Sequence, residues 1–90
     1  MALRKRFARD ISEPARRVLT GKRAERGFTQ RQVSKALDKS DAWANLLEKG
    51  QYIIKLQDFV DLCVLYDKDP PVVLAEILNW KASSQQLSSK

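Results

Sequence analysis

The chain has 90 residues and a mass of 10.3 kDa, which allows one hydrophobic core with short tails and no second domain. It contains no histidine and one cysteine, Cys63, so Ser-His-Asp and Cys-His nucleophile systems, HExxH and multi-cysteine zinc sites and internal disulfides are excluded, and neither an enzyme nor a metal or other cofactor is expected. The net charge of +6 is lopsided: residues 1–40 carry net +8 and residues 41–90 net −2. The N-terminal half therefore suits a polyanion, whether nucleic acid, an anionic membrane or an acidic protein.

No apolar run is long enough to span a bilayer, and the basic start is not followed by the apolar stretch of a signal peptide, so a soluble cytoplasmic protein is expected. Residues 1–11 read as a basic N-terminal arm. In it Leu3, Phe7 and Ile11 recur every four positions among Arg4, Lys5, Arg6 and Arg9, the pattern of either a short amphipathic helix or a solubilising tail. Residues 12–81 read as one all-α domain. Its first helix starts with Ser12 as N-cap and Pro14 in the first turn, turns Ala15, Val18 and Leu19 to one side, and stops at Gly27.

The second helix has the sharpest start, because Thr29 and Gln32 have capping-box spacing and Phe28 can staple onto Val33. It runs through Ala36 and Leu37 and breaks at Asp38-Lys39. Ser40 then reads as the N-cap of a third helix that ends at Gly50. A fourth helix, about 56–66, carries Leu56, Phe59, Val60, Cys63 and Tyr66 as a core stripe. Asp69-Pro70 starts a fifth, with Val73, Leu74, Ile77 and Leu78 at helical spacing and Trp80 beyond. Residues 82–90 are rich in Ser and Gln and read as a polar tail.

Two short helices joined by a tight turn, at 29–37 and 40–49, make a helix-turn-helix, whose second helix is narrow enough to enter a DNA major groove. Here the residues Arg23-Ala24-Glu25-Arg26-Gly27-Phe28-Thr29-Gln30, then Val33, Leu37, Ser40 and Glu48-Lys49-Gly50, then Leu56, Leu62 and Asp69-Pro70 resemble, without gaps over about residues 15–78, the lambda-repressor-like, Cro-type (Xre) helix-turn-helix family. That resemblance implies a compact five-helix domain in which Arg23 pairs with Glu48 as a structural ion pair. It also implies that Gln30 and the residues near Gly50 contact phosphates. The chain departs from the family at Asp38, in place of a turn glycine, at Lys22, Lys55 and Leu46, and at Ile53 and Ile54 in a loop that is often polar.

Placing successive residues about 100° apart puts Ala44 and Leu47 on the core side of the third helix. The opposite side presents Ala42, Asn45, Leu46 and Lys49, flanked by Asp41 and Trp43. Expected base readers are therefore Asp41, Ala42, Trp43, Asn45 and Leu46. The Asn45 amide suits adenine N6 and N7 if it is not simply solvated, Ala42 and Leu46 suit thymine methyls, and Asp41 either accepts from cytosine N4 or favours the helix N-terminus. Phosphate contacts are expected from Gln30, Lys39, Ser40, Lys49, Gln51 and Tyr52. A homodimer on an operator is expected to meet through Val73, Ile77 and Trp80, although Trp80 could instead cap the monomer core. The function these readings support is a double-stranded DNA-binding regulator, a repressor on a palindromic operator. The alternative is an antitoxin-like or inhibitory module whose apolar patch around Trp43, Leu46, Tyr52, Ile53 and Ile54 binds a protein partner.

Overall fold

The computed structural model describes residues 10–80. Most of the basic arm and the polar tail therefore lie outside the described residues. Five helices follow in chain order: α1 (Ser12–Arg26), α2 (Gln30–Ala36), α3 (Trp43–Glu48), α4 (Leu56–Leu65) and α5 (Pro70–Leu78). There is no strand among the described residues, so the all-α, five-helix expectation holds. None of these helices is long and apolar enough to cross a membrane.

α1 starts differently from the expectation. The Ser12 hydroxyl does not cap it; the Ser12 N–H donates to the Asp10 carboxylate at 2.9 Å, and Ile11 takes the cap position. A carboxylate is the stronger acceptor and also favours the positive end of the helix. Gly27 ends α1 at φ 75°, where its N–H and that of Phe28 turn back to the carbonyls of Ala24 and Arg23. α2 begins with the expected capping box: Thr29 Oγ1 accepts from the Gln32 N–H at 3.0 Å and Gln32 Oε1 from the Thr29 N–H at 2.8 Å. Asp38 then takes φ 61°, a left-handed conformation that aspartate tolerates better than most residues.

α4 and α5 correct the sequence pattern in two places. Leu56 is not core but 78% exposed, and Leu62, on the inward side of α4, replaces it beside Cys63 and Tyr66. Lys55 caps α4 without any side-chain bond. On α5, Val73 and Ile77 are each 1% exposed and belong to the core, so they offer no dimer surface, whereas Val72, Leu74 and Leu78 are exposed. Both stripes of α5 are apolar, and periodicity alone had no polar face by which to choose between them. Trp80 is half-buried.

Leu19, Val33, Leu47, Leu62, Tyr66, Val73 and Ile77 join in one buried cluster that unites all five helices. Each such side chain contributes about 1.5–3 kcal/mol by leaving water. The Phe28 ring lies 6.2 Å from that of Tyr66 and covers one edge of the cluster. Lys22 spans from α1 to α5, its ammonium 2.7 Å from the Glu76 carboxylate, which raises the lysine pKa and keeps it charged although its side chain is largely covered. That contact gives Lys22 a structural role between α1 and α5.

Candidate nucleic-acid interface

The site is built on α3, and its geometry starts from how that helix begins. The expectation of Ser40 as N-cap is corrected: residues 40–42 form a turn in which the Trp43 N–H reaches the Ser40 carbonyl at 2.9 Å, and α3 starts at Trp43 with no cap from its own side chains. The first turn of a helix leaves amides unpaired. Here the Ala44 N–H donates to Ser34 Oγ at 2.9 Å, from a hydroxyl that is fully buried in α2. α2 thus caps α3 across the turn, and sequence reading missed Ser34. Its signal was a hydroxyl beside Val33 on the inward face of α2.

Trp43 is a further correction. It is 8% exposed and part of the core, one helical turn before Leu47 on the same face, so its indole is not available to base edges. The Lys39 ammonium sits 5.1 Å from the Trp43 ring centroid and 3.4 Å from the Asp58 carboxylate. Asp58 is itself buried in the first turn of α4. Lys39, expected to meet phosphate, is therefore turned toward the protein, where it ties the turn to α4 and compensates a buried carboxylate.

The far end of α3 is held by a polar seam. Arg23 Nε and Nη2 donate to the two oxygens of Glu48 at 2.7 and 3.1 Å, and Nη1 donates to the Phe28 carbonyl at 2.8 Å. Both side chains are mostly buried, and the Glu48 hydrogen bond raises the Arg23 pKa, so the guanidinium stays charged. Gln30 Nε2 also donates to Glu48, at 2.8 Å, which leaves Gln30 Oε1 to accept from Asn45 Nδ2 at 3.0 Å. A chain of four side chains thus runs from α1 to the outer edge of α3 and orients the Asn45 amide. Gln30 is engaged in this seam as well as lying at the start of α2.

The remaining site residues face outward. Ala42 and Lys49 are exposed, and Asn45 and Leu46 are half-buried, so these four share the outer edge of α3. Asp41, just before it, is exposed but paired with Arg31 at 3.1 Å and Lys35 at 3.8 Å, two cations of α2 that sequence reading did not select. Ser40, Gln51 and Tyr52 are exposed at the two ends of α3. Gly50 takes φ 85°, a left-handed conformation that favours glycine, and a Cβ there would stand 3.0 Å from the end of the flexible Arg16 side chain, so it is the conformation that calls for glycine.

Two short helices packed across a tight turn, the second fixed on its inner side and open along its outer edge, define a helix-turn-helix DNA-binding domain. The family model described as a helix-turn-helix domain matches residues 16–77, and the chain belongs to that family. No curated protein and no solved structure matches the chain.

Proposed function

We propose that the protein is a sequence-specific regulator of transcription in the lambda-repressor-like, Cro-type (Xre) group. It is a non-enzymatic repressor that binds a roughly palindromic operator as a dimer and acts in the cytoplasm at the nucleoid. The observation that carries this reading is the outer edge of α3, where Ala42, Asn45, Leu46 and Lys49 stand outward on a helix anchored by Ser34, Trp43 and Glu48. With one Nδ2 hydrogen held by Gln30, Asn45 keeps its carbonyl and a second N–H for adenine. Leu46 and Ala42 meet thymine methyls, and Ser40, Lys49, Gln51 and Tyr52 bracket the phosphates.

Asp41 with its two cations sets the charge at the leading end of α3. Dimer symmetry would place two copies of α3 about 34 Å apart on one face of the duplex. The test is binding to a selected operator and to random duplex over a range of salt. A phosphate-bound regulator with six to ten contacts loses about 10³ to 10⁵ in affinity between 50 and 200 mM salt. Asn45→Ala should cost about 1–3 kcal/mol at one base pair only, while Lys49→Ala should weaken all sequences alike and flatten the salt slope. Equal losses from both variants on every duplex would overturn the assignment of roles.

A second reading, an antitoxin-like protein-interaction module, is favoured by one observation: Ile53 is 84% and Tyr52 43% exposed in the loop after α3. Weak DNA binding that does not respond to salt would select it.

A further inference from the structure

An apolar groove opens between the first turn of α1, the loop that follows α3, and the facing sides of α4 and α5. It encloses a cavity of about 370 Å³ lined by Ile11, Ala15, Ile53, Leu56, Leu74 and Ile77. Ala15 and Ile77 are buried, but Ile53, Leu56 and Leu74 are 84%, 78% and 40% exposed. Three exposed aliphatic side chains around one cavity form a surface that water wets poorly.

The chain itself supplies an occupant at this place. Ile11 lines the groove and is joined directly to the N-terminal segment, in which Leu3 and Phe7 continue its stride of four. The spacing is that of one helical face: at about 100° per residue, a helix through this segment would put Leu3, Phe7 and Ile11 on one side and Lys5 and Arg9 opposite. At the junction Ile11 has φ −106° and ψ 15°, and Asp10 caps the Ser12 amide, so the segment need not continue along the axis of α1. Reach is ample, since Phe7 is tethered within about 14 Å of Ile11 and Leu3 within about 28 Å. A short tether also gives an effective concentration of order mM, which favours this segment over a second copy in dilute solution.

We propose that Leu3 and Phe7 of the protein's own N-terminal segment seat in this groove, with Phe7 against Ile53, Leu56 and Leu74. Charge does not draw the segment in, because Arg16 on the groove wall and Lys55 beside it repel Arg4, Lys5, Arg6 and Arg9. The contact is apolar and works against that repulsion. Added salt therefore strengthens it, the opposite of what salt does to DNA binding.

The test uses the full chain without DNA, so it stands apart from the reading above. Proton NMR with labelled methyl groups should show cross-relaxation between the Phe7 ring and the methyls of Ile53, Leu56 and Leu74, unchanged on dilution and stronger at higher salt. Phe7→Asp should abolish it and shift those methyl resonances. Ile53→Asp, at a position outside the core, should release the Phe7 ring to its unfolded shift while the core resonances stay in place. If the groove methyls respond to dilution but not to Phe7→Asp, a second copy fills the groove and the proposal is wrong. It is equally wrong if they respond to neither.

Discussion

α3 and α5 both pack on α1, and they do so by different chemistry. Against α3 the contact is a polar seam, Arg23 to Glu48 to Gln30 to Asn45, in which every link has a direction and a length near 3 Å. Toward α4 and α5 the interior is Leu62, Cys63, Tyr66, Val73 and Ile77, with the Lys22–Glu76 pair reaching across from α1. Apolar burial supplies most of the folding free energy but tolerates small rotations. Hydrogen bonds tolerate them less, because they weaken steeply off axis. The helix that must be aimed is therefore the one held by the directional contacts, and the helix that only has to be present is held by area.

The largest way to break that contrast is Glu48→Ala. It leaves the Arg23 guanidinium largely buried without its carboxylate, and the expected loss is about 3 kcal/mol, read as a lower urea midpoint at unchanged slope. The double variant Arg23→Met with Glu48→Met should recover most of it, since replacing both partners removes the stranded charge. A double variant as unstable as the single would mean that the seam holds α3 by packing and not by the pair.

The apolar side should fail at alkaline pH instead. Burial pushes the Cys63 thiol from its ordinary 9.0 up to about 11, with Asp69 adding to the shift, and burial likewise raises Tyr66. Between those values the native state keeps a proton that the unfolded chain releases, so this stabilisation is complete below pH 9 and is lost as pH rises toward 11. The loss from Cys63 is about 2–3 kcal/mol. Urea midpoints from pH 7 to 11 should fall along that course, and Cys63→Ala should flatten the part between pH 9 and 10, leaving the Tyr66 contribution above it. An unchanged slope in Cys63→Ala would show that the thiol is not what the interior protects.

Much of this fold was legible because its signals are local. The Thr29–Gln32 box, the glycine stops at Gly27 and Gly50 and the left-handed Asp38 are each decided within a few residues, and each stands where the pattern put it. The errors came where a distant group decides. Ser40 was the obvious cap by sequence, but α3 starts only at Trp43, whose N–H meets the Ser40 carbonyl, and the first-turn Ala44 amide is served by Ser34, ten residues before it. Lys39 looked free in a turn until α4 brought Asp58 beside it. Val73 and Leu74 are equivalent by periodicity, and only the packing of α5 on α1 separates them.

Ser34→Ala is the smallest of these tests and the one that bears most directly on how α3 is aimed. The substitution removes a single oxygen from a site with no solvent access, so no water replaces it and the Ala44 amide is left unpaired. The expected cost is about 1–2 kcal/mol, because an orphaned buried donor forfeits its full desolvation rather than one net hydrogen bond. Its signature is local: the Ala44 amide should exchange faster with solvent relative to that of Leu47, while the Arg23–Glu48 end of α3 stays protected. If both ends of α3 loosened together, the helix would be held as one body by the core, and the division between an aimed helix and an area-held one would fail at the point where it matters for reading DNA.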